Sequence, residues 1–233
     1  MFPAPQLPTQ AAPEERSALL KVRWFGILQL VGIAAGWMGV LFIGGSPGSL
    51  TAASLGHNPA PSQVSAALGP VFASLASLVP ILAAVQVAAV LMLILALRQL
   101  KAVDGRFSVP SVLTMVLLVG ALLTVSGAVP LFSLLPSLIA QTTTSGTTVP
   151  TGLAGTAASL ALYFFIMLIG GILALVGLIG GQVLGLWRLG SKYDEAILKA
   201  GAIFIVVPFL NIASPILIIV GTNRARAKTG GPA

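Results

Sequence analysis

The sequence predicts an all-α integral membrane bundle of five transmembrane helices, and three observations carry that prediction. Of 233 residues, 57% are hydrophobic and only 7% are charged, whereas a soluble domain is about a quarter charged. Apolar runs longer than ~18 residues, enough to cross a hydrocarbon core, recur along the chain. The twelve Lys and Arg sit beside those runs in a one-sided pattern, as topology signals do.

Residues 1–21 are rich in Pro, Ala and Gln, carry Glu14, Glu15 and Arg16, and read as a mobile cytoplasmic tail. The transmembrane domain follows over 22–221. Its first helix, 22–43, enters after Lys21 and Arg23 with Trp24 at the inner interface. Gly32 and Gly36 form one GxxxG pair, a helix-packing signal. An uncharged loop with His57 leads to the second helix, 65–97, which at ~1.5 Å per residue exceeds a ~30 Å core. Pro80 is its expected kink.

A turn with Arg98, Lys101, Asp104 and Arg106 precedes the third helix, 111–129, which Pro130 and Pro136 should bend or end. Helix four, 154–187, carries Gly177, Gly181 and Gly185 at four-residue spacing, one small-residue face that lets another helix approach its backbone. It ends on Trp187 and Arg188, which belong at the inner interface. Gly190 is the expected C-cap and Ser191 the start of the next helix. Helix five, 197–220, is interrupted by Pro208, Asn211 and Pro215, and a basic tail (222–233) carries Arg224, Arg226 and Lys228.

The loops after helices one and three hold no Lys or Arg, so the positive-inside rule places the N-terminus in the cytoplasm of a multi-pass plasma-membrane protein. Five full spans would leave the tail cations outside. The alternative is a re-entrant hairpin turning near Pro208–Pro215, with arms of ~10 residues and ~15 Å. The full span is the preferred reading because prolines are tolerated in spanning helices.

Chemistry is sparse. The five carboxylates, Glu14, Glu15, Asp104, Asp194 and Glu195, all fall in the tail or turns, so acid–base work at membrane depth has no candidates. His57 lacks the further ligands that zinc requires, and with no cysteine thiol chemistry is excluded. Neither a cofactor nor nucleic acid is expected as a ligand. Buried polarity consists of Gln29, Gln86, Gln182 and Asn211, read first as interhelical hydrogen bonding. The preferred function is a non-enzymatic structural or accessory subunit, packing on itself or on partner subunits through glycine faces within the lipid bilayer. The alternative is a small-solute transporter or channel with its polar site at Asn211 in the broken last helix.

Residues 178–221 run from Gly181 and Gly185 through Trp187-Arg188-Leu189-Gly190 to Tyr193, Lys199-Ala200-Gly201, Pro208, Asn211, Pro215 and Gly221. This stretch resembles the C-terminal half of an uncharacterised archaeal multi-pass membrane family, domain of unknown function 973. There too a glycine-rich helix leads into an aromatic-Arg-Leu-Gly turn and a Pro-interrupted last helix. The resemblance implies an archaeal plasma-membrane protein and supplies neither an activity nor site residues.

Overall fold

The computed structural model describes residues 13–44, 61–144, 153–207 and 209–230, and His57 and Pro208 lie outside them. The described residues are helical almost throughout. Helix α1 (Pro13–Gly44) is followed by α2 (Pro61–Val103), a 3-10 turn (Gly105–Phe107) and α3 (Ser108–Thr144). Helix α4 (Leu153–Gly177) runs through a π-helical turn (Leu178–Val183) into α5 (Leu184–Lys192). Helix α6 (Ala196–Phe204), a 3-10 turn (Leu210–Ile212) and α7 (Ala213–Lys228) complete the chain.

Four stretches are long and apolar enough to cross a membrane: Pro13–Ile43, Leu68–Val103, Gly105–Ser137 and Gly155–Lys192. The fifth apolar run is not a single helix, which corrects the preferred reading of 197–220. Phe209 takes a left-handed φ of 66°, and the backbone beyond it starts a new helix that lies back against α6. Gly201 meets Leu217 and Ile218, and Gly221 meets Leu198. The Ser214 hydroxyl donates to the Gly201 carbonyl at 2.7 Å. Nine residues of α6 rise only about 14 Å, half of a hydrocarbon core. Pro215 sits in the first turn of α7, where its missing N–H is harmless, rather than breaking a helix.

Other boundaries shift for physical reasons. Helix α1 begins at Pro13, not at 22, so Glu14 and Glu15 occupy its first turn, where carboxylates suit the helix dipole. Ala18, Leu19, Val22 and Phe25 are buried along one stripe of it, and that burial orders a segment expected to be mobile. Helices α2 and α3 continue through Pro80 and through Pro130 and Pro136. A helix is the one way for a spanning segment to satisfy its own backbone without water.

The chain forms two compact units, and each long helix contributes to both. The first comprises Met1–Val31, Val85–Leu118 and Ala174–Ala233. Its core gathers Leu19, Val22, Phe25, Leu93, Leu97, Leu100, Phe107, Leu186, Leu189, Leu198 and Ile218. The second comprises Gly32–Ala84 and Val119–Leu173. There, a methyl group on Gly127 would sit 2.6 Å from the Tyr163 carbonyl, and one on Gly170 would sit 2.5 Å from the Thr124 nitrogen. Its α1–α2 groove, of about 430 Å³, is lined by Met38, Phe42, Ser77 and Leu78 among others.

Candidate functional site

All twelve cations and all five carboxylates belong to the first unit; none lies within 32–84 or 119–173. They meet where α1 begins, where α2 turns into α3, and at the elbow between α5 and α6. Glu15 of α1 pairs with Lys192 at the end of α5, and Arg16 donates to the Thr229 carbonyl at 2.9 Å. Lys228 reaches the Glu195 carboxylate at 2.8 Å and the carbonyls of Tyr193 and Asp194 at 3.1 and 2.9 Å. An ammonium has three donors, and Lys228 uses them all, tying the end of α7 to the start of α6. Arg188 donates to the Arg106 carbonyl.

The elbow geometry depends on glycine. Gly190 is not a C-cap but lies inside α5, which continues to Lys192. A methyl group there would come 2.9 Å from the Glu195 carbonyl and 2.8 Å from Lys199 Cγ. Ser191 correspondingly closes α5, its hydroxyl donating to the Trp187 carbonyl at 3.0 Å. Lys199 lies 6.0 Å from the Trp187 ring centre, a cation–π contact. Trp24 and Trp187 are both exposed, and each belongs to the charged unit.

Two groups here have shifted acidities. Asp104 caps the 3-10 turn, accepting from the Arg106 backbone N–H at 3.0 Å and from its Nε at 3.2 Å, and these bonds hold its pKa below the usual carboxylate value. The Tyr193 hydroxyl is buried without a hydrogen-bond partner. Burial, and secondarily the Glu15 charge, push its pKa above the ordinary 10.0. A raised phenol pKa contributes stability in full below the unfolded value, and that contribution is lost as pH rises through the folded value. Tyr193→Phe is therefore expected to leave the neutral-pH melting temperature unchanged or higher and to soften its fall above about pH 10. Melting curves between pH 7 and 11.5 check this; an unchanged alkaline limb would contradict it.

The glycines predicted for packing divide. Gly177 and Gly181 abut α3 of the same chain: methyl groups on them would lie 2.5 Å from Leu117 Cα and 2.6 Å from the Thr114 nitrogen. A methyl group on Gly185 would meet the Leu97 side-chain end at a tight 3.3 Å and Pro110 Cβ at 3.4 Å. On α1 the close contacts fall elsewhere than the predicted pair, at Gly26, against Ile219 and the Pro215 carbonyl, and at Gly39, against Leu78. Gly36 opens onto empty space, and Gly32 is half-buried.

The four amides divide as well. Asn211 is exposed, not buried, because the hairpin carries it to its tip beside the 89%-exposed Phe209. Gln29 and Gln86 are half-buried. Gln182 is fully buried in the π-helical turn, and neither its amide oxygen nor its nitrogen has a hydrogen-bond partner. Glu15, Lys192 and Tyr193 were missed as a group because the acid was assigned to a tail. The acidic first turn after Pro13 was the available signal. Among the described residues no three His, Cys, Asp or Glu converge as a metal site would require. No family model, curated protein or solved structure matches the chain.

Proposed function

We propose that the chain is a non-enzymatic structural or accessory subunit of the plasma membrane, with its N-terminus, charged turns and C-terminus in the cytoplasm. The carrying observation is the confinement of every formal charge to one unit, where Lys228 closes the α6–α7 hairpin onto the same turns. With α6–α7 entering and leaving on one side, no cation violates the positive-inside rule. Of the cations, only Arg106, Lys192 and Lys228 pair with carboxylates among the described residues, and exposed cations such as Lys101 and Arg224 are suited to anionic headgroups. The resemblance to the archaeal family fits a protein of this kind and assigns it no reaction.

Assembly rests on α1. In its most apolar stretch only 11% of residues are buried, and Gly36 offers a close approach that no other described element uses. The helix-four face that first suggested assembly is occupied by α3. Gly36→Leu is expected to dissociate a native oligomer or co-purifying complex on native gels, with the melting temperature of the isolated chain unchanged. An unaltered species would remove the assembly role.

The alternative, a small-solute transporter or channel, loses its original site because Asn211 is exposed. Its one support is the unbonded Gln182 amide.

A further inference from the structure

A polar groove of about 560 Å³ lies between the elbow and the end of α7. Asp194, Glu195, Ala196 and Ile197 line it from the elbow and the start of α6. Arg224, Ala227 and Lys228 line it from α7, at spacings that share one helix face.

The four charged residues of the groove are not equally engaged. Lys228 pairs with the Glu195 carboxylate and gives its other donors to the Tyr193 and Asp194 carbonyls. Asp194 and Arg224 are exposed, and among the described residues neither side chain has a hydrogen bond or an ion pair. A carboxylate and a guanidinium thus border one space from separate elements, beyond ion-pair reach of each other.

The formal charges of the lining cancel, two carboxylates against two cations. A simple anion drawn to Arg224 is repelled by Asp194, and a simple cation meets the reverse. A molecule that is neutral overall, with both signs spaced to bridge the groove, satisfies both. Guanidinium recognises phosphate through paired N–H bonds, and a carboxylate accepts from the N–H donors of a primary ammonium. Ala196, Ala227 and Ile197 supply apolar surface for the carbons between the two charges.

We infer that this groove binds a phosphoethanolamine group, its phosphate on Arg224 and its ammonium on Asp194. As a lipid headgroup, the ligand deepens the headgroup contact of Arg224 and rests on the charged turns lying at the membrane surface. As a free molecule it needs no such placement.

The test offers the full chain, purified in detergent, an equimolar mixture of ethanolamine, choline and glycerol phospholipids with identical acyl chains. Native mass spectrometry counts the lipids retained, and calorimetric titration with water-soluble glycerophosphoethanolamine forms the second arm. Expected is at least about a tenfold preference for the ethanolamine lipid, the effect of one charge-assisted hydrogen bond. Arg224→Gln is expected to abolish it and Arg224→Lys, which keeps the charge without the fork, to retain part of it. In Asp194→Asn, where asparagine suits the left-handed φ of 49°, the preference is expected to turn to the anionic glycerol lipid. A folding defect does not produce that reversal. Saturable glycerophosphoethanolamine binding without a lipid preference would also support the groove, with a free molecule as its ligand. Binding in neither arm, or a preference unchanged in Asp194→Asn and Arg224→Gln, would overturn the site.

Discussion

Adding one methyl group at Gly177 is expected to destabilise the chain severely, while the same group at Gly171 is expected to be silent or mildly stabilising. At Gly177 the new Cβ would lie 2.5 Å from both Cα and Cβ of Leu117. Backbone cannot swing aside as a side-chain end can, so α3 and α4 must separate. Overpacking of this kind costs typically 1–3 kcal/mol and more where backbone is the obstacle. At Gly171 nothing lies within 4 Å, and replacing glycine by alanine in a helix is intrinsically favourable by about 1 kcal/mol. The same logic places Gly181→Ala, facing the Thr114 nitrogen at 2.6 Å, with the damaging variants. Thermal unfolding of the four proteins in one detergent checks the ordering. A Gly177→Ala melting point equal to that of the natural chain would refute the close α3–α4 contact.

Lys228→Met is expected to be the next most damaging change. It strands the Glu195 carboxylate, whose side chain is 7% exposed, and removes donors from the Tyr193 and Asp194 carbonyls. Breaking a buried ion pair from one side costs about 3–5 kcal/mol. The Lys228 side chain is itself 51% exposed, so screening reduces the expectation to roughly 2–3 kcal/mol. Adding Glu195→Met should recover part of the loss, because the stranded charge is then gone. Equilibrium unfolding of the single and double variants, alongside protease sensitivity of the α7 tail, reads this directly. A double variant no more stable than Lys228→Met alone would mean that Lys228 acts through the two carbonyls and not through Glu195.

The helical class and the four long apolar stretches were legible because length and apolarity are properties of the chain itself. The turns at Arg98–Arg106 and Trp187–Glu195 were legible because charge cannot enter hydrocarbon. Proline was the misleading signal. In water Pro130 would end a helix, but a spanning segment has no other partner for its backbone, and α3 continues. Asn211 was misplaced for a related reason: its burial follows from a straight fifth helix and vanishes once Phe209 reverses the chain. The closure by Lys228 onto Glu195 joins two segments whose proximity no local pattern reveals. The glycine face of helix four was recognisable from its four-residue spacing, yet spacing cannot say whether the partner helix belongs to the same chain. Gln182 showed itself as an amide in an apolar run, but the π-helical turn beneath it had no mark in the sequence.

The central claim, that the last apolar run folds back and leaves both termini on one face of the membrane, is tested most directly by labelling single cysteines in this cysteine-free chain. Ala11→Cys, Gly56→Cys and Ala233→Cys are each exposed in intact cells to a membrane-impermeant maleimide, before and after permeabilisation. The hairpin predicts that positions 11 and 233 behave alike, reacting only after permeabilisation, and that position 56 reacts from outside. Labelling of position 233 in intact cells while position 11 stays protected would show a fifth crossing and contradict the hairpin.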